Sequence, residues 1–208
     1  MKLTQRTEAS TLNLTDIIHI VKTGDTSQSL DGSSYKVPIS KIVSLISVAA
    51  ATDVFTSGST GTYSIKAKNA TGDATGNYAF SNGYATKATG NYSYAEGQST
   101  TASGVNTHAE GYTTKASGNY SHAEGYQTSS IGVESHAEGY QTSSNGIAAH
   151  AEGYATKAYG NYSHAEGAYT TASNPANHAE GSGTTAQGSY SHGEGYNTTA
   201  FGSYSHSE

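Results

Sequence analysis

Ser121-His122-Ala123-Glu124-Gly125-Tyr126-Gln127-Thr128-Ser129-Ser130-Ile131-Gly132-Val133-Glu134 is followed at once by Ser135-His136-Ala137-Glu138-Gly139-Tyr140, and the same 14-residue phrase recurs along residues 66–208. In blocks of 14, His108, His122, His136, His150, His164, His178, His192 and His206 share one column, which takes eight of the nine histidines. Glutamates from Glu96 to Glu208 make a second column, and glycines from Gly83 to Gly195 a third. A short fixed period means stacked coils, each burying its face only against its neighbours.

The phrase contains a half-period of seven, because Ser-x-Ala-x-Gly in Ser121 to Gly125 matches the pattern from Thr128 to Gly132. Each half reads as a short strand and a turn. Side chains alternate across a strand, so Ser, Ala and Gly of one half share a small, neutral face with Thr, Ala and Gly of the other. Two such faces pack closely, and each coil adds a rung about 4.8 Å from the last. The expected fold is therefore all-β, a flattened parallel β-roll. Glycine is expected at the turns, where a left-handed backbone is least strained without a Cβ, with Asn174 as its one substitute.

Composition agrees with order by stacking. Only 34% of residues are hydrophobic and 12% charged, too poor a supply for an ordinary core, yet the strict period and 17 tyrosines argue against disorder. A net charge of −6, with 10 Lys and Arg and no basic run, excludes an electrostatic grip on nucleic acid or anionic membrane. Cysteine is absent, which removes disulfides and thiolate metal sites.

The remaining strand positions point out of the roll. One outward face is uniform, with His108 and Glu110, His122 and Glu124, His136 and Glu138, His150 and Glu152, His164 and Glu166, His178 and Glu180, and His192 and Glu194; Phe80 and Tyr94 stand in the histidine column at its start. The other varies, as in Lys115 and Ser117 against Lys157 and Tyr159. Uniformity fits a face that meets a copy of itself, so these residues are the expected interface of a homo-oligomer. A ring of His–Glu hydrogen bonds between protomers explains every copy without an ion; an axial metal at the histidine column is the alternative, and no cofactor is expected. Tyr112, Tyr126, Tyr140, Tyr154 and Tyr196 offer either a receptor surface or stacked ladders between coils. Catalysis is not expected, because an active site is one asymmetric constellation and these groups repeat along a rod.

Before the repeat, residues 17–21 (Ile-Ile-His-Ile-Val) and 35–39 (Tyr-Lys-Val-Pro-Ile) read as strands, the second at an edge because Pro38 cannot donate to a ladder. Ser40 is placed to cap a helix carrying Ile39, Ile42, Ile46 and Ala49 at spacings of three and four. The first thirty residues hold no apolar signal segment, and no stretch is long enough to span a bilayer. The expected organisation is a mixed β/α module over residues 1–51, a connector over 52–65 and the repeat over 66–208.

Ser-His-Ala-Glu-Gly followed by Thr-x-Ala-x-Gly resembles the head repeats of trimeric autotransporter adhesins of the YadA type, over residues 66–208. That resemblance implies a left-handed parallel β-roll, three of which surround one axis, with the two outward residues of the first strand at the trimer interface. His122 and Glu124 take positions that are commonly Val and Ile in that family, so the implied interface is polar here. The N-terminal stretch from Thr15 to Val21 and from Tyr35 to Ile42 looks like the attachment region of bacteriophage tail-fibre and other virion appendage proteins. Together these imply a trimeric phage fibre or spike that is assembled in the host cytoplasm, docks other virion proteins through residues 1–51 and reaches a host-surface glycan or protein. A bacterial surface adhesin is the alternative.

Overall fold

Every coil of the repeat lays down a strand of two to five residues, a corner, a two-residue strand and a second corner. The computed structural model describes residues 17–20, 35–38, 55–67 and 71–208; among them the chain is all-β, with no helix. One parallel sheet carries the histidine strands from Phe80–Tyr84 through His122–Tyr126 to His206–Ser207, and a second carries ten strands from Asp73–Ala74 to Thr199–Ala200. Register follows the sequence column by column: His108 pairs with His122, Glu110 with Glu124 and Tyr112 with Tyr126. The result is the expected β-solenoid with a 14-residue period.

Its core is built almost without large apolar groups. Ala95, Ala109, Ala123, Ala137, Ala151 and Ala165 on one sheet face Thr100, Thr114, Thr128, Thr142, Thr156 and Thr170 on the way to the other, all buried. The sheets approach closely enough for small side chains to bond across the interior: Ser81 Oγ lies 2.7 Å from Thr86 Oγ1, and Ser130 Oγ 2.6 Å from Ser135 Oγ. A buried methyl contributes only about 0.8 kcal/mol, so the backbone ladders matter more here than in a leucine-rich core.

The corners differ from expectation. The left-handed residue is not the glycine alone: every seventh residue from Tyr78 (φ 56°) to Tyr204 (φ 59°) is left-handed, and only Gly183 among them is glycine. Each is held by its neighbour coil, as when the Gln127 amide donates to the Tyr112 carbonyl at 2.8 Å and the Ala155 amide to that of Tyr140 at 2.7 Å. First-half glycines such as Gly125 (φ 110°) do use a glycine-only conformation. Second-half glycines do not. At Gly132 a Cβ would sit 1.9 Å from the Gly146 carbonyl oxygen, so this column is glycine because one coil's backbone lies against the next. Asn174 therefore does not mark a left-handed turn; in its coil that conformation falls on Ala176 (φ 53°), and Asn174 is exposed.

The repeat sheet begins before residue 66. Phe55–Ser57 pairs antiparallel with Ile65–Ala67, placing a strand where the connector was expected. That antiparallel strand covers one end of the parallel stack. Contacts divide the chain at Asp53, and in the first unit Ile17–Ile20 pairs antiparallel with Tyr35–Pro38. The helix expected after Ser40 lies outside the described residues.

Candidate functional site

Strand alternation sets each histidine and the glutamate two residues on along one outward face of the first sheet, and parallel register stacks the copies. Ring centres repeat at 4.8 Å for His108–His122, 4.8 Å for His164–His178 and 4.7 Å for His178–His192, with planes within 9° in these pairs. Elsewhere the rings turn, to 75° for His122–His136 and 38° for His136–His150. Phe80 and Tyr94 extend the column at 4.9 Å, and Tyr94 meets His108 edge-on.

Each imidazole faces a glutamate of its own chain. Nε2–carboxylate distances within a coil run from 3.4 Å for His164–Glu166 to 3.9 Å for His192–Glu194. Each imidazole thus lies near a carboxylate of its own chain as well as at the face assigned from sequence to neighbouring protomers. Two glutamates also reach the following coil: Glu180 Oε1 lies 3.8 Å from His192 Nε2, and Glu194 Oε1 3.5 Å from His206 Nε2. None of these contacts completes a hydrogen bond for the imidazoles of His108, His122, His136, His150, His164, His178 or His192, whose Nε2 atoms are nevertheless shielded.

Shielding sets the protonation. Burial holds the pKa of His122, His150, His164 and His178 below the ordinary imidazole value; a neighbouring histidine along the ladder adds to the effect and the nearby glutamates oppose it. Neutral imidazole is therefore favoured at these four positions near neutral pH. Tyr94, whose hydroxyl donates to Glu96, is pushed up to about 12, first by that bond and then by burial.

The tyrosines read as either a receptor surface or stacked ladders do stack: Tyr112, Tyr126, Tyr140 and Tyr154 lie 4.8–4.9 Å apart with planes within 9°. Their faces cover one another, which leaves edges and hydroxyls outward. Tyr196 stands apart from them, because Ala168 and Ser182 occupy the intervening places in its column.

The chain matches no described protein family. Nor does any curated protein match it.

One further ladder has no counterpart among the sequence expectations. Asn77, Asn91, Asn119 and Asn161 each accept, through Oδ1, an amide of the preceding coil at 2.9–3.0 Å. Their signal was the triplet Gly-Asn-Tyr, at residues 76–78, 90–92, 118–120 and 160–162.

Proposed function

We propose that this protein is a structural and adhesive fibre component of a bacteriophage particle, in which three left-handed β-rolls assemble around one axis through their histidine–glutamate faces. The observation that carries the reading is the contrast between the two outward faces. His and Glu are constant through eight successive coils, whereas the second sheet presents Lys115, Ser129, Ser143, Lys157 and Thr171 at one equivalent position. A face exposed only to water has no need of such constancy, and exposed ion pairs contribute little by themselves. Residues 1–51 then dock to other virion proteins, and the rod reaches, or carries the part that reaches, the host surface.

Sedimentation equilibrium on the full chain tests the assembly, with an expected mass three times 21.4 kDa. Glu138→Ala should weaken the trimer more than His136→Val combined with Glu138→Ile, because the single change leaves an imidazole unpaired while the double one restores an apolar contact. A monomeric chain, or a double variant that dissociates first, overturns the assembly. Antibodies against the chain should label the appendages of intact particles, and the absence of label there overturns the virion role.

A further inference from the structure

We infer that the histidine–glutamate ladder binds a divalent transition-metal ion of the zinc class between successive coils of one chain, with His178 as the central ligand. His178, Glu180 and His192 offer three ligand atoms within 4.8 Å of one another, and so do His164, Glu166 and His178. Glu180 spans the gap between coils, with Oε2 3.7 Å from His178 Nε2 and Oε1 3.8 Å from His192 Nε2. Zinc bonds to nitrogen and oxygen measure about 2.0–2.2 Å, which sets tetrahedral ligand atoms roughly 3.3–3.5 Å apart. Each His–Glu pair is therefore a few tenths of an ångström from ligating distance. The two imidazoles must also turn their Nε2 edges toward each other, and rings elsewhere in the column do take different orientations, with planes as much as 75° apart at a centre spacing of 4.9 Å.

A second observation points the same way. The Nε2 atoms of His164, His178 and His192 are shielded and lack a hydrogen-bond partner in the chain, an arrangement that is unfavourable until something occupies the lone pair. Two imidazoles and a carboxylate without thiolate suit zinc or nickel, while magnesium and calcium prefer all-oxygen sites. Each Nε2 has one lone pair, so the two triads that share His178 fill one at a time, with one ion at this centre. All ligands come from one chain, which makes the inference independent of the trimer.

The test uses the full chain without an affinity tag, stripped with EDTA and dialysed. Zinc chloride is titrated by calorimetry, and cobalt(II) binding is followed by its visible absorption. Wild type should bind zinc and not magnesium, and His178→Gln should bind one zinc fewer per chain and lose a cobalt band. If circular dichroism shows that His178→Gln is misfolded, Glu166→Gln with Glu180→Gln takes its place, because it keeps the stacked rings while removing both carboxylates; zinc binding at this centre should weaken roughly tenfold or more. Equal zinc content in wild type and variants, or none in either, overturns the proposal. Sedimentation with and without zinc keeps the two readings apart: a zinc-binding monomer sinks only the trimer, and a trimer that takes no zinc sinks only the metal site.

Discussion

The interior offers a direct experiment on buried hydroxyls. Thr128 Oγ1 is buried without a hydrogen-bond partner, as are those of Thr100, Thr114, Thr142, Thr156 and Thr170, and each faces an alanine five residues earlier. Where that alanine is replaced, in Ser81, the serine hydroxyl meets Thr86 Oγ1 at 2.7 Å while remaining fully buried. Ala123→Ser should therefore fit and supply Thr128 with a partner. A made hydrogen bond contributes about 0.5–1.5 kcal/mol, and an orphaned buried hydroxyl costs about 1–3 kcal/mol, so the expected gain is about 1 kcal/mol. Thr128→Val removes the orphan by keeping the shape, and should be neutral or stabilising by about 1 kcal/mol. Combining both changes leaves the introduced serine only the carbonyl of residue 128, the longer contact that Ser81 Oγ makes to the Thr86 carbonyl at 3.2 Å, so the pair should still fall short of additivity by about 1 kcal/mol. Urea unfolding followed by circular dichroism, with all four proteins at one concentration, measures the cycle. A destabilising Ala123→Ser, or additivity within about 0.5 kcal/mol, would refute the assignment of an unpaired hydroxyl.

Gly132→Ala should destabilise by about 3 kcal/mol or more, since the new methyl meets backbone that cannot step aside. Gly202→Ala is its control: a Cβ there finds nothing nearer than 3.6 Å, and its urea midpoint should hold or rise slightly. At the left-handed corner Ala155 (φ 55°), Ala155→Val should lower the thermal midpoint clearly. Ala155→Gly should change it little there, because relief of about 1 kcal/mol of strain is offset by a looser unfolded chain. The lowered pKa values of His122, His150, His164 and His178 mean that the folded chain binds fewer protons than the unfolded one. Their contribution is fully present above the unfolded pKa of 6.5 and is lost as pH falls through the lower folded values. In chelator-containing buffer the melting temperature should accordingly fall on acidification below that pH, and a rise there would contradict the shielding of the ladder.

Much of this fold was legible because a column in sequence becomes a ladder in space. The His108–His122 register and the inward placement of Ser121, Ala123 and Thr128 follow from the period and from strand alternation alone. The corners were not legible. Their left-handed residues are Tyr120, Gln127, Glu134, Gln141 and Ala148 in turn, with no common side chain, because the conformation is imposed by an amide of one coil bonding a carbonyl of the last. Gly132 and Gly125 likewise look alike in sequence, and a Cβ on either would meet the next coil's backbone, but Gly125 alone also has a positive φ. At the candidate site the stripe was visible and its pairing was not. Whether Glu180 turns to His178, to His192 or to both depends on rotamers within a 4.7 Å stack.

Repetition that secures register also multiplies whatever it repeats. Stacked alanine and threonine are neutral, so the interior tolerates copying; stacked glutamate is not. Carboxylates spaced by the coil rise of about 4.8 Å repel by about 0.9 kcal/mol per pair in water and about 3.5 kcal/mol at an effective dielectric constant of 20. Each glutamate inside the ladder has two such neighbours. Covering that face with further apolar or acidic surface would deepen the repulsion, whereas imidazole donors or a bound cation would relieve it. Histidine stands two residues before every glutamate from Glu110 onward in that column, and the sheltered, unpaired Nε2 atoms of His108 to His192 mark where a donor or cation would act. A self-complementary trimer and an ion between coils meet the same electrostatic demand from different directions. The ion requires only side chains that Glu180 already brings within 3.8 Å.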